Sequence, residues 1–226
     1  MKICFEGFEH SITVRRGRPF VLEVHNRALF ARVCDSLVSC SGEDGFEAYT
    51  VWDDEKELRP KSAFLVVSDA LNLPWECREL GGNLYQILQD RQMEDEELRG
   101  TFEISFRELN KLMFQLVNQL DGEYRFKIEW DLQRYLKAFG FAADYGRDDP
   151  FIDKLILFLD YCADMHVKKT LLFVNLKTFL TKNDVQKLYE RVFFHELKML
   201  LVENAEDGNR YEIEDKLVID QHFLEE

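Results

Sequence analysis

The 226-residue chain is short of the features that announce chemistry. No apolar run approaches the roughly 20 residues that cross a bilayer, and the opening, Met1 to His10, lacks a basic region followed by an apolar core of signal-peptide length. A cytoplasmic protein with no membrane contact is expected. The cysteines Cys4, Cys34, Cys40, Cys77 and Cys162 are odd in number and never spaced as paired ligands. That argues against a disulfide framework and a zinc site, and predicts reduced, mostly buried thiols. No glycine-rich string leads into Lys-Ser or Lys-Thr. Arg16-Gly17-Arg18-Pro19 has one glycine and a proline, and Gly81-Gly82-Asn83 has no lysine, so no bound nucleotide and no ATP hydrolysis are expected. A nucleophile elbow is missing, and no carboxylate pair stands out as a glycosidase or nuclease requires. The chain reads as one that catalyses no reaction.

Positive charge is scarce as well. Lys and Arg number 29 against 43 Asp and Glu, a formal charge of −14, which on its face argues against a nucleic-acid partner. Net charge, however, is not charge distribution. Acid gathers in Asp90 to Glu97 and in the tail from Glu203 to Glu226; base gathers at Arg15, Arg16 and Arg18 and at Lys168-Lys169. A basic face on an acidic body and a merely solvated surface are both compatible with this pattern.

What the chain has in quantity is apolar sequence, at 46%, enough for a sizeable core. Ile3 and Phe5, Ile12 and Val14, then Phe20, Leu22 and Val24 alternate as short antiparallel strands, with Arg16 to Pro19 turning between them. A helix comes next, with Leu29, Phe30, Val33 and Leu37 on one face. Ala63 to Val67 reads as a doubly covered strand, and Asn72, Pro74 and Gly81-Gly82 punctuate the chain beyond it. From about Asn83 to Phe158 apolar residues recur at helical spacing in three stripes, around Leu109 to Leu120, Leu132 to Phe139 and Ile152 to Leu159. Strand texture returns at Leu171 to Val174, Leu197 to Val202 and Leu217 to Ile219, with Thr181 and Asp184 spaced as a helix-capping pair. The expected architecture is an α/β head, residues 1–82 and 168–226, interrupted by an α-helical insertion, residues 83–167.

Two places could carry more. Val67-Ser68-Asp69 ends a strand in an acid, which serves either to hold a metal or to cap a turn. Asp121, Glu123, Glu129 and Asp131 cluster at a break between helices, a geometry that could hold a hard cation, although a helix stop and a helix start explain most of the pattern without metal.

Val167-Lys168-Lys169-Thr170-Leu171-Leu172-Phe173-Val174-Asn175 and Thr178-Phe179-Leu180-Thr181-Lys182-Asn183-Asp184-Val185 resemble the spacer-acquisition ring proteins of type II-A CRISPR systems, the Csn2 family. Weaker agreement runs through Arg16-Gly17, Phe64 to Asn72, Leu120 to Tyr124, Leu136 to Gly140 and Leu200 to Glu203. The resemblance implies a homotetrameric ring of α/β heads with a degenerate P-loop-like sheet and helical legs. It implies sequence-independent binding of double-stranded DNA by its ends, bound calcium (Ca2+), and action beside the Cas9, Cas1 and Cas2 proteins. Carried over residue by residue, it points to Lys137, Lys168, Lys169 and Arg16 for DNA, and to Asp121, Glu123, Glu129 and Asp131 for calcium. Two extra residues after Tyr124 depart from the family pattern. A second reading is a protein-interaction scaffold of the same adaptation complex that does not touch DNA.

Overall fold

Burial decides which opening strands pair with which. β1 (Lys2–Phe5) pairs antiparallel with β2 (Ile12–Thr13), as the alternation predicts, and with β4 (Tyr49–Asp53). With β5 (Lys56–Leu58) these form a four-stranded sheet, order β2-β1-β4-β5. β3 (Phe20–Val24) was expected in that antiparallel group and lies elsewhere. All five of its residues are buried, so it has no face for solvent and takes a place inside a covered parallel sheet. That sheet runs β6-β7-β8-β3-β9, with β6 at Phe64–Val67, β7 at Thr170–Val174, β8 at Met199–Glu203 and β9 at Asp215–Ile219. Every pairing in it is parallel.

Between β3 and β6 come α1 (Arg27–Ser39), capped by the Asn26 side chain, and the single turn α2 (Pro60–Ala63). α1 buries Leu29, Val33 and Leu37, while Phe30 of the same stripe stays half-buried. The computed structural model describes residues 1–118, 120–125, 130–144, 148–209 and 211–225, in two units: Met1–Pro74 with Tyr145–Glu226, and Trp75–Asp144.

The smaller unit contains α3 (Arg78–Glu94), α4 (Glu96–Val117) and α5 (Leu132–Ala138). Gly81 and Gly82 do not punctuate; they lie in the first turns of α3, beside the fully buried Leu80. The chain turns earlier, where Asp69 Oδ1 accepts the Leu71 amide at 3.0 Å. The strand-ending aspartate is thus a turn cap. Asp95 separates α3 from α4 and caps α4 through the Leu98 amide. α5 has only seven residues, fixed at one end by Asp131, which accepts the Arg134 amide, and at the other by Gly140 at φ +65°. There Phe141 N–H reaches Leu136 O and Gly140 N–H reaches Lys137 O, a Schellman stop.

In the larger unit, α6 (Phe151–Asp164) and α7 (Lys182–Phe194) pack on each other and bury Leu155, Phe158, Leu159, Val185, Leu188 and Val192. Thr181 and Asp184 form the capping box their spacing predicts. Of the five thiols only Cys162 is fully buried, against the expectation of mostly buried thiols, and none forms a disulfide. Burial, with a smaller push from Glu203, drives Cys34 up to about 12, so it is not a reactive thiolate.

Candidate nucleic-acid interface

A parallel sheet brings the segments that precede its strands to one edge, whatever their distance in sequence. Arg15, Arg16 and Arg18 precede β3, Lys168 and Lys169 precede β7, Lys198 precedes β8, and Lys61 lies in α2, before β6. All seven cations therefore belong to the amino edge of the five-stranded sheet. Lys61 and Lys198 escaped the sequence reading. The available signal was position: each is a cation within three residues of a strand start.

The arginine turn is built to separate its side chains. Arg15 and Arg18 form a bridge and share Asp215, at 3.3 and 2.6 Å, which neutralises much of both. Arg16 bridges instead to the backbone of Lys198, is exposed, and has no hydrogen-bond or ion-pair side-chain partner among the described residues. Gly17 makes this approach possible. It adopts φ +68°, donates its N–H to Leu197 O at 2.9 Å, and a β-carbon there would sit 3.3 Å from Phe193 O.

Lys168 and Lys169 part company, as neighbours at a strand start must. Lys168 is exposed, without an ion-pair partner among the described residues, and lines the same cleft as Arg16 and Lys198. Lys169 Nζ donates to Lys61 O at 2.7 Å. The cleft holds about 190 Å³ and is closed by His166, His195 and Glu196. His166 and Glu196 are the left-handed residues, φ 51° each, of two Schellman stops ending α6 and α7. His195 Nε2 lies 2.7 Å from Asp160, which also meets Arg191 at 3.3 Å. Lys198 has Asp53 at 3.6 Å. Lys137 belongs to the smaller unit, where its ammonium sits 5.7 Å over the Tyr85 ring.

The carboxyl edge is the electrostatic opposite. Glu23 and Glu203, each 2% exposed, stand in register on β3 and β8. Glu23 is met by Lys216 at 2.6 Å and His25 at 2.7 Å; Glu203 accepts the Lys177 amide at 3.0 Å. Lys177, buried between the rings of Tyr189 and Tyr211, bonds Asp207 at 2.9 Å and Glu214 at 2.7 Å. Burial pulls its pKa down, but the bonds to Glu214 and Asp207 more than offset this and hold it above the ordinary lysine value. Burial lifts Glu203 to about 7 against the Lys177 amide and charge.

Residues 43–223 match the family described as CRISPR-associated protein (Cas_Csn2). The chain belongs to this family. The CRISPR-associated protein Csn2 of Enterococcus faecalis is 23% identical over 226 residues, spanning 99% of this chain and 97% of that protein. The crystal structure of Stu0660 of Streptococcus thermophilus superposes with a TM-score of 0.56 at 16% identity, covering 89% of this chain and 68% of that one. The Csn2 family membership gives the chain a CRISPR-associated role, and the structural likeness supports the mixed α/β fold.

Calcium was the expectation that went with this family, and the described carboxylates do not converge on a site for it. Asp121 and Glu123 are exposed; Asp131 spends one oxygen on the Arg134 amide and holds the other 3.2 Å from the Arg134 guanidinium. Glu129 lies outside the described residues. Among the described residues no three His, Cys, Asp or Glu are grouped to hold a metal. Nor is any described helix long and apolar enough to cross a membrane.

Proposed function

We propose that this Csn2-family chain grips double-stranded DNA, without reading its sequence, as a homotetrameric ring in CRISPR spacer acquisition. It catalyses no reaction and works beside the Cas9, Cas1 and Cas2 proteins. The observation that carries the reading is the amino edge, where Arg16 and Lys168 face one cleft unpaired in a chain that has 43 carboxylates to offer. Cations left without partners on an acidic body are a standing demand for an anion, and a duplex backbone supplies one. The parallel sheet is, in this reading, a degenerate P-loop-like head. The carboxyl edge, where open α/β sheets take ligands, is filled by Glu23, Glu203, Lys177 and Lys216, which supports a head without nucleotide.

Assembly multiplies the patch. If a ring neutralises about six phosphates, affinity falls roughly a thousandfold between 50 and 200 mM salt. A gel-shift titration measures this, and a flat salt dependence refutes backbone gripping. Linear duplex should also bind better than covalently closed circles, and equal binding would reject the ring.

One observation favours the scaffold reading. α4 buries none of its residues and exposes Leu98, Ile104, Leu109, Leu112 and Leu116. Beside it, an approximately 800 Å³ groove is lined by Phe106 and Trp130, whose indole N–H is buried without a hydrogen-bond partner among the described residues. No duplex binding by the wild-type chain in the same gel shift would decide for the scaffold, whereas unchanged binding in Arg16→Gln/Lys168→Gln would move the DNA surface away from the amino edge.

A further inference from the structure

The amino-edge cleft differs from a backbone-gripping surface in shape. It is a recess of about 190 Å³, room for roughly six waters at about 30 Å³ each, which suits one tetrahedral oxyanion with part of its hydration but not a continuous phosphodiester chain. Its cations arrive from three directions: Arg16 from the turn before β3, Lys168 from the loop after α6, and Lys198 from the loop after α7. Three converging donors match the three free oxygens of a phosphate monoester better than the two of a diester.

A second feature lies at the rim. Phe193 and Phe194, in the last turn of α7, are 62% and 74% exposed. Two adjacent phenylalanines left in water need an explanation that a folded monomer does not supply. Phe194 stands edge-on to His195, with ring centroids 5.1 Å apart, and His195 lines the cleft. Phe193 is held against Gly17, next to Arg16. Aromatic faces beside cations are how proteins hold unpaired or terminal bases.

The opposing charges set the strength. Glu196 lines the cleft, Asp53 partly satisfies Lys198, and the C-termini of α6 and α7 each bring about half a negative charge. These nearly cancel the cations. Phosphate alone is therefore held weakly, and useful affinity requires the base as well.

We propose that this cleft receives the terminal phosphate of a DNA strand, with the terminal base resting on Phe194. The inference rests on the reading of the amino edge as the DNA-holding surface and adds what that surface recognises. It also places the strand end between the Schellman stops of α6 and α7, whose left-handed residues His166 and Glu196 line the cleft.

The experiment uses the full chain and an internally labelled linear duplex in two forms, with its terminal phosphates intact or removed by phosphatase. Fluorescence anisotropy should show about tenfold weaker binding of the dephosphorylated duplex. Lys168→Gln should abolish that ratio. Phe194→Ser should weaken both duplexes several-fold and keep the ratio. Inorganic phosphate should erase the ratio only at tens of millimolar. Equal affinities for the two duplexes, with binding intact, overturn the strand-end site while leaving backbone gripping in place. Loss of all duplex binding by the wild-type chain overturns both readings. Phosphate competing at micromolar concentration, with Phe194→Ser unchanged, makes the cleft a small-anion pocket and refutes the strand-end assignment.

Discussion

Glu203 gives the sharpest test of how the larger unit is held together. Its carboxyl is buried at the end of β8, beside Glu23 in register and near Asp207, and accepts backbone hydrogen bonds from Lys177 and Leu176. The folded pKa, about 7, lies above the ordinary 4.5, because burial disfavours the ionised form. A folded pKa raised in this way makes a contribution to stability that is complete below about 4.5 and is lost as pH climbs through 7. The full difference is worth about 3.4 kcal/mol at 1.36 kcal/mol per decade. Between pH 5 and pH 8 about 2.5 kcal/mol of it disappears. Glu203→Gln carries no charge to bury, so it should gain on the wild type by that amount over the interval. Thermal denaturation at the two pH values reads it as a gap in melting temperature that moves in favour of the variant by about 5–10 °C. The comparison cancels groups that titrate alike in both proteins. A gap that stays the same at pH 5 and pH 8 would refute the claim that Glu203 is buried against its own ionisation.

Three further outcomes rest on other residues. Lys177→Met strands Asp207 and Glu214 without their cation and should cost about 3–5 kcal/mol, seen in urea denaturation as a lower midpoint. Gly17→Ala places a side chain at φ +68° within 3.3 Å of Phe193 O, costing about 1–2 kcal/mol and lowering DNA affinity through the displaced Arg16; unchanged affinity would separate the turn from the DNA surface. Asp131→Ala removes the α5 cap and should destabilise by about 1 kcal/mol whether or not calcium is present. A loss of oligomer mass on light scattering, reproduced by chelating the wild type, would instead make Asp131 a metal ligand.

Legibility tracked how far a residue's structural role is local. The capping box at Thr181 and Asp184, the strands at Leu171 to Val174 and Leu217 to Ile219, and the Gly140 stop were readable because each depends on a few neighbouring residues. β3 was misplaced because its alternation is imperfect and its partners, β8 and β9, lie far along the chain, Phe20 pairing with Leu200 and with Asp215. Gly81-Gly82 misled for a related reason: packing of Leu80 outweighs glycine's poor helix propensity, which costs only about 1 kcal/mol per residue. At the candidate site, Arg16 and Lys168 were found as cations. That they share a cleft and that Lys169 turns away toward Lys61 come from strand order, which sequence spacing does not encode.

Strand direction also explains how so acidic a chain can approach a polyanion. In a parallel sheet, residues before each strand and residues after it are sent to opposite ends, about 15 Å apart for strands of five residues. Arg16, Lys168 and Lys198 precede their strands; Glu203 closes β8 and Glu23 is the last residue but one of β3. At the carboxyl edge Glu23 is paired with Lys216, and burial holds Glu203 partly protonated near neutrality, so these acids add little field at the amino edge. The total of −14 therefore keeps stray nucleic acid away from most of the surface without cancelling the edge where Arg16 and Lys168 lack ion-pair partners among the described residues. Moving a single acid across that distance should undo the arrangement. A carboxylate introduced by Thr13→Glu, at the end of β2 and three residues before Arg16, would add a negative charge beside the arginine turn and weaken DNA binding. The same charge introduced by Asn175→Asp, just past β7, should leave binding unchanged at 150 mM salt.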